Sequence, residues 1–589
     1  MGAAIHEVTP VPRARRSPRR EPLNRSFLSF FPALTVAAFL LPIAAGLIGT
    51  LLPAFGYLPA IGGHAFTLDP WRRLIAYPGF ATSIATTLVT GTAATLVSVV
   101  LAFGFCAVAE GRAWGRRIGT LLAPILATPH AAIAIGIAFL IAPSGWLARA
   151  ISPGLTGWDL PPDIATVGHR SGWPLMLALV AKEAPYLILM IVGASHQVPA
   201  ARHLTLARSL GYRRTEAWLK IVLPQLYRQI RLPIFAVLAF SLSVVDVALI
   251  VGPGNPPPLA VLAVRWFADA DIRYYFPASA AACLQLLLVV AAIAFWRVAE
   301  RIAVAAGRAW IARGRRAGAA TFAAGVAFAL ALLAFTASAL AIVDMALWSF
   351  AAQWRFPSFL PDAWTLANWQ RQLPGLAQPV ATTFALAAAA TLIALALVLG
   401  CLENESRRQH HAGVRALWIL YLPLLVPQVA FLFGAQVLLV KAGIDGAFAA
   451  VVWAHLIFVL PYLFLSLADP WRALDPRYGR SAAALGASPL RVFLRVKVPL
   501  LGRPILIACA VGFAVSVAQY LPTLFAGNGR VATLTTDAVT LAAGADRRVI
   551  GTYALLQALL PLLVYAAAVA APAWRIAQRR EIPAWAPQA

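Results

Sequence analysis

The sequence is dominated by a succession of apolar runs, each long enough to form a transmembrane helix. A run of about 20 apolar residues crosses the hydrocarbon core as a helix, because every backbone amide must bond within its own segment where water is absent. Hydrophobic residues make up 61% of the chain and charged residues 12%, which excludes an ordinary soluble domain. The sequence therefore predicts an all-α polytopic membrane protein with about 12 transmembrane helices. We place the spans at 29–52, 82–108, 118–142, 172–194, 232–252, 277–297, 319–348, 379–402, 415–440, 447–467, 504–522 and 550–572.

The basic residues are distributed unevenly between the two faces of the predicted membrane protein. A net charge of +26 suggests nucleic-acid binding when it is considered alone, since Lys and Arg attract phosphate. However, 35 of the 48 Lys and Arg residues lie in the two tails, in alternate loops and in the central linker, all of which face the same side. This pattern follows the positive-inside rule. We therefore expect both termini in the cytoplasm and no nucleic-acid partner.

An internal repeat relates the two halves of the chain. Residues 207–224 align without gaps with residues 482–499, at an offset of 275, and each copy follows the fourth span of its half. Downstream, Ser243-Val-Val-Asp246 aligns with Ser516-Val-Ala-Gln519 at an offset of 273. Two homologous six-helix halves of parallel orientation are the simplest explanation. The predicted segments are a basic tail 1–28, a first half 29–298, a linker 299–318, a second half 319–572 and a tail 573–589.

The most regular part of the repeat lies in two cytoplasmic loops, 195–231 and 468–503. Their shared positions are Ala207, Leu210, Gly211, Trp218, Ile221, Leu223 and Pro224 in one loop, and Ala482, Leu485, Gly486, Phe493, Val496, Val498 and Pro499 in the other. A glycine between two short helices permits a positive φ, and a proline suits the first turn of the following helix. One such amphipathic segment alone suits the lipid headgroups equally well. Two copies at equivalent positions favour docking into a groove of a partner protein.

The pattern Ala-x-x-x-Gly, followed by Ile or Val, then Leu or Val, then Pro, resembles the EAA loop of type I ABC importer permeases. The stretch Leu521-Pro-Thr-Leu-Phe with Gly529-Arg-Val-Ala-Thr-Leu is similar to sequences in the permeases for thiamine, iron(III), polyamines and related solutes. The resemblance implies a bacterial inner-membrane protein that works with an ABC ATPase subunit in two copies, a periplasmic solute-binding protein and the surrounding lipid. The family's leading glutamate is absent, because Thr205 and Arg480 occupy its positions.

The sequence carries no ATP site of its own. A P-loop needs Lys followed by Ser or Thr, whereas the four lysines here precede Glu183, Ile221, Ala442 and Val498. The cysteines and histidines lack metal-ligand spacing, so we expect no metal, no cofactor and no catalytic residue. The sequence therefore predicts a transport subunit that depends on a separate ATPase.

Polar residues in the fifth span of each half are the candidates for a translocation pathway. Charged and polar groups in a span are costly unless they face a cavity or a partner, which directs attention to Ser243, Asp246, Ser516 and Gln519. The alternative role for these four is structural hydrogen bonding between helices. The alternative function for the whole chain is a secondary active transporter, which also shows repeats but needs its own coupling-ion site.

Overall fold

The computed structural model describes residues 27–112, 122, 124–195, 197–314, 316, 318–408 and 413–580, with the backbone alone for 27, 414, 415, 417 and 572–580. The predicted tails 1–28 and 573–589 lie mainly outside these residues. So do parts of the predicted third span, 118–142, and of the loop before it.

Helices form most of the described chain. The first half contains Phe30–Ala54, Asp69–Ile75, Phe80–Ala109, His130–Ile141, Trp146–Ile151, Trp173–Ser195, Ala200–Ser209, Arg214–Ala217, Leu223–Ser243, Asp246–Val251, Leu259–Phe267 and Tyr275–Ala312. The second half contains Ala319–Phe350, Ala367–Arg408, Val414–Leu425, Gln428–Lys441, Phe448–Arg472, Pro476–Ala484, Pro489–Val492, Val498–Leu500, Gly502–Val517, Leu521–Gly527, Leu534–Leu541 and Arg547–Arg580. Single 3-10 turns occur at Phe27–Ser29, Pro59–Ile61 and Ile272–Tyr274, and a two-stranded antiparallel ribbon pairs Ala351–Gln353 with Ala363–Trp364.

The helices confirm the predicted all-α polytopic fold, although the number of spans differs from twelve. Within the described residues, nine helices are long and apolar enough to cross a bilayer, or eleven if each of two bent pairs counts as one span. The bent pairs are Trp418–Leu425 with Gln428–Lys441, at 89°, and Pro489–Leu500 with Gly502–Val517, at 77°. The span predicted at 232–252 is interrupted at Val244 and Val245, so its helical pieces are too short or not apolar enough to meet the same criteria.

The first span of each half packs against the other half. Gly46 and Gly49 of the first span lie against Gly434, where an added Cβ at any of the three would overlap backbone atoms of the facing helix. The arrangement repeats at Gly136, whose added Cβ would lie 2.6 Å from the carbonyl oxygen of Ala341 in the first span of the second half. Small residues allow this close helix contact in a membrane, where packing must replace the hydrophobic effect. The two halves are therefore interlocked.

Polar contacts also repeat between the halves. The backbone N–H of Leu259 donates to Thr87 Oγ1 at 2.9 Å, and that of Leu534 donates to Thr383 Oγ1 at 2.9 Å, so a threonine of the second span satisfies the start of a short helix in each half. Each threonine hydroxyl in turn donates to the carbonyl four residues earlier in its own helix. In both halves a buried backbone N–H is therefore satisfied by a threonine hydroxyl, so the repeat extends to the hydrogen bonds of the interior.

A glutamine of the last span makes a second repeated contact. Gln285 Nε2 donates to the carbonyl oxygen of Leu242 at 3.0 Å. In the second half Gln557 Nε2 donates to Thr535 Oγ1 at 2.8 Å, and that hydroxyl donates to the carbonyl oxygen of Val517. Leu242 and Val517 are 275 residues apart, the same offset as in the cytoplasmic loops. The glutamine therefore bonds directly to the backbone carbonyl in the first half, and through the Thr535 hydroxyl in the second half.

Candidate coupling loops and translocation pathway

The two cytoplasmic loops share one turn. Gly211 and Gly486 both have φ of +82°, which L-residues with a side chain rarely adopt. The N–H of the residue after each glycine donates to the carbonyl of Ala207 at 3.1 Å or of Ala482 at 3.1 Å. The glycine N–H closes the inner bond of the same turn, at 2.9 and 3.0 Å. These bonds form a Schellman motif at the end of a helix in both loops, which explains the spacing of the alanine and the glycine.

Each turn is followed by a short helix that changes into a single π-helical turn. The π segments are Trp218–Val222 and Phe493–Lys497, which occupy equivalent positions in the two loops. Such turns are rare and are frequently found at functional sites. Leu223 and Pro224 follow directly in the first loop, and Val498 and Pro499 in the second, as the sequence pattern requires. The chain then continues into the fifth span of its half.

The predicted apolar faces of the loops differ in exposure. Leu210 and Leu485 are 62% and 89% exposed, respectively, which leaves both available to a partner. Trp218 is fully buried within the protein, whereas Phe493, at the equivalent position, is half-buried and contacts the ring of Trp471. Trp218 therefore anchors the first loop to its own chain, and the exposed leucines form the outer surface.

The linker between the halves lies against the first loop. The N–H of Arg213 donates to the carbonyl oxygen of Arg316 at 3.2 Å, and the Lys220 ammonium lies 4.6 Å from the ring centre of Trp310. Lys220 also forms an ion pair with Glu216 at 3.9 Å, and both side chains are buried. The first loop is consequently braced by the end of the helix Tyr275–Ala312 and by the residues that follow it.

Lys182 stabilises a break in the third span of the first half. Helical residues 124–127 end at Thr128, and the helix His130–Ile141 begins after Pro129. The buried Lys182 ammonium donates to the carbonyl oxygens of Ile125 at 2.7 Å, Leu126 at 2.8 Å and Thr128. A cation at the carbonyl end of a helical turn is electrostatically favourable, and these bonds satisfy carbonyls that the break leaves without helical partners.

Glu183, Asp246 and His130 form a polar cluster beside this break. Glu183 is buried, and its Oε1 lies 3.2 Å from Nε2 of His130. Asp246 is the first residue of the helix Asp246–Val251 and lies within electrostatic range of His130 and of Tyr520 in the second half. Of these three residues, the sequence indicated only Asp246 as a candidate for the pathway. The only sequence signal for them was an ionisable residue in each apolar run.

The cluster extends to the boundary between the halves. Tyr186 and its repeat partner Tyr462 lie within electrostatic range of each other and of Glu183, and Tyr421 belongs to the same group. Each of the first two follows a proline in the fourth span of its half, at Pro185 and Pro461. Two repeat-related side chains within electrostatic range of each other lie close to the pseudo-two-fold axis.

The other candidates for the pathway have mainly local partners. Ser243 Oγ donates to the carbonyl oxygen of Ala239 at 2.7 Å, within its own helix. Ser516 Oγ lies 2.7 Å from Nδ1 of the buried His455, and Gln519 Nε2 donates to the carbonyl oxygen of Val515 at 3.1 Å. Gln519 precedes the helix Leu521–Gly527, whereas Asp246 begins the corresponding helix Asp246–Val251. The 273-residue alignment therefore does not pair structurally equivalent residues here.

A cavity of about 310 Å³ lies between the halves on the side opposite the cytoplasmic loops. Ile135 and Ile250 line it on two helices that begin at His130 and at Asp246, respectively. Arg547 and Ala542 of the second half form part of the opposite wall. Ile250 lies about one helical turn from Asp246, so the polar cluster is about 6 Å beyond the cavity along that helix. The cavity and the polar cluster thus lie one after the other along the helix Asp246–Val251.

These features define a polytopic permease of the ABC transporter class, and similarity to known proteins shows the family directly. The chain is 32% identical over 515 residues to the inner membrane ABC transporter permease protein YnjC of Escherichia coli (strain K12), covering 87% of this chain and 92% of that relative. It is 31% identical over 207 residues to the molybdenum transport system permease protein ModB of Mycobacterium bovis and of Mycobacterium tuberculosis, covering 34% of this chain and 77% of each. No protein-family model matches the chain. The chain belongs to the ABC transporter permease family and is a multi-pass inner-membrane protein.

Proposed function

We propose that this chain forms the whole translocation pathway of an ABC importer for a small solute and couples to separate ATPase subunits through its two cytoplasmic loops. The observation that carries the proposal is the duplicated turn, in which Gly211 and Gly486 have the same φ and the same hydrogen bonds, each followed by a π segment. An amphipathic segment lying on lipid has no need for two such rigid turns at equivalent positions.

The proposed organisation follows the repeat. Residues 29–298 and 319–572 are the two permease halves, joined by the linker 299–318, with tails 1–28 and 573–589 on the cytoplasmic side. One copy of the ATPase docks on each loop, and its closure on ATP moves both loops together. A periplasmic solute-binding protein delivers solute at the opposite face, where the cavity between the halves opens.

The central polar cluster favours a cationic solute. Glu183 and Asp246 contribute two carboxylates beside the boundary of the halves, and the rings of Tyr186 and Tyr462 offer faces that attract cations. The nearby cation, Lys182, is bonded to backbone carbonyls. Thiamine, iron(III), a polyamine or a similar solute meets this requirement. The name of the ModB relatives points instead to molybdenum, so that transport substrate belongs in the same screen.

The experiment compares the purified chain with a double variant, Gly211→Asp with Gly486→Asp. We expect the unchanged chain to capture an ATP-hydrolysing partner and the double variant to lose it, because each aspartate adds a side chain and a negative charge to the surface that docks. Capture of no ATPase, together with uptake driven by an ion gradient alone, would establish the secondary transporter instead.

The pathway is tested separately from the docking. Asp246→Asn and Glu183→Gln should lower uptake of cationic solutes while ATPase capture stays unchanged. Ser516→Ala is the matched control, since its hydroxyl contacts His455 within the same half and should affect stability before it affects solute choice. Unchanged uptake in both carboxylate variants would remove the cluster from the pathway.

A further inference from the structure

The second loop is tied at both ends to one transmembrane helix, Ala367–Arg408. Arg472, at the end of the helix Phe448–Arg472, donates from Nη2 to Glu405 Oε2 at 3.0 Å. Lys497, at the end of the π segment, donates to Glu403 Oε2 at 2.7 Å and to Ser406 Oγ at 3.2 Å. The loop therefore cannot move along the membrane surface without pulling on the cytoplasmic end of this helix or breaking these bonds.

Glu403 is the most buried member of this group. Its side chain is 5% exposed, and its other oxygen, Oε1, accepts a hydrogen bond from Arg407 Nε at 2.8 Å. Lys497 is 16% exposed. A charge-assisted hydrogen bond shielded from water is much stronger than a surface ion pair, and removing one partner is costly because it leaves the other charge buried with fewer partners. This contact is therefore suited to transmit force.

The first loop is attached differently. Val222 occupies the position equivalent to Lys497 and is fully buried among apolar side chains. Glu110 follows the corresponding helix, Phe80–Ala109, and Val222 offers it no cation. The first loop is braced by Arg316 and Trp310 of the linker region, and its Arg214 side chain lies beside Gly111, which follows the helix Phe80–Ala109. The repeat thus preserves the turn and the π segment but not the way in which each loop is fastened to its half.

We propose that Glu403 is a positioning residue that, through Lys497, passes the movement of the second loop to the helix Ala367–Arg408. This role rests on the proposed function, since it has meaning only if an ATPase moves the loop. The buried Glu403 carboxylate is covered by Lys497 and Arg407 of its own chain. Its loss should therefore separate ATP hydrolysis from transport while leaving the docking surface, including the exposed Leu485, intact.

The test uses the full chain in proteoliposomes with the ATPase that it captures and the solute that it transports. We expect Glu403→Gln to lower the amount of solute transported per ATP hydrolysed by about tenfold at unchanged ATPase capture, consistent with the loss of a buried charge pair. Lys497→Gln should have the same effect, and the two substitutions together should be no worse than either. Lys497→Arg should retain a large part of the coupling, because it keeps a cation opposite Glu403.

Glu110→Gln is the matched control, because it removes a carboxylate at the cytoplasmic end of the corresponding first-half helix. Its coupling ratio should equal that of the unchanged chain. A normal coupling ratio in both Glu403→Gln and Lys497→Gln, additive losses in the double variant, or an equal loss in Glu110→Gln would overturn the inference. If Glu403→Gln fails to fold, the more exposed Lys497→Gln decides the question. Failure of the unchanged chain to capture an ATPase refutes the proposed function instead.

Discussion

Replacing Gly486 by alanine tests whether the backbone angle, rather than the absence of a side chain, makes this position essential for docking. Gly486 has φ of +82°, and a Cβ added there would meet no atom within 4 Å. The substitution therefore adds no steric overlap with a neighbour, and its cost is the left-handed backbone conformation alone, about 1–2 kcal/mol for an L-residue. That cost corresponds to a loss of roughly 5- to 30-fold in the population of the turn.

The assay is a titration of the ATPase against the chain in lipid nanodiscs. We expect the affinity of Gly486→Ala for the ATPase to fall by roughly 5- to 30-fold, in proportion to the lost turn population. The loss in Gly486→Asn should be smaller, because asparagine visits the left-handed region more readily. The control is Gly479→Ala in the helix Pro476–Ala484, where the added Cβ makes an ordinary contact, 3.6 Å from Val492 Cγ1.

Unchanged affinity in Gly486→Ala would refute the reasoning, since the turn would then be unnecessary for docking. An equal loss in Gly479→Ala would show that added volume anywhere on this helix disturbs the contact, and that φ is not the cause.

Five further substitutions test other parts of the structure. Leu485→Ser should abolish ATPase capture with no loss of thermal stability, because Leu485 is 89% exposed. Trp218→Ala should lower the free energy of unfolding by about 3–5 kcal/mol, because Trp218 is fully buried. The reverse pattern in a capture and melting assay would contradict a docking role for Leu485 and a structural role for Trp218. Lys182→Met should lower the melting temperature in detergent, since three backbone carbonyls lose their donor at about 1–3 kcal/mol for each unsatisfied group; a melting temperature equal to that of the unchanged chain argues against the cap. Thr383→Val should lower the free energy of unfolding by about 1 kcal/mol, because the Leu534 N–H loses its acceptor, and Thr87→Val should lower it equally through the Leu259 N–H. Denaturant unfolding measures both losses. Unequal losses would contradict the idea that the two repeated contacts contribute equally to stability.

The sequence was sufficient to predict the helical membrane fold and the two repeated loops. Apolar length determines a span because the bilayer admits no unsatisfied backbone, and this constraint is local. The turn at Gly211 and Gly486 was equally predictable, since a glycine at the end of a short helix indicates a left-handed residue. The docking role of these loops stays a prediction.

The breaks in the helices were not predicted, although the residues that cause them are visible. Pro129 and Pro427 each precede the outer helix of the third span of their half. Hydropathy alone does not indicate a break at either proline. The partner that stabilises the first break, Lys182, is more than fifty residues away, so no local pattern indicates it. The same limitation applied to His130 and Glu183, whose significance depends on the distance between them.

The burial of Trp218 was also beyond the sequence. An aromatic residue on the apolar face of a cytoplasmic segment suits a partner's groove or the protein's own interior equally well. Which surface covers it depends on the tertiary packing of the first half, not on the spacing of the motif.

The interlocking of the halves has a consequence for synthesis in the cell. The ribosome must add roughly 390 residues after Gly46 before Gly434, its packing partner, exists. At about 5–20 residues per second, the first helix waits roughly 20–80 s in the lipid with its glycine face uncovered. During that interval a nascent first half cannot complete its own core, because part of that core is Ala319–Phe350, still to be translated. The chain is therefore open to degradation by membrane proteases that recognise unassembled helices until the second half has been translated.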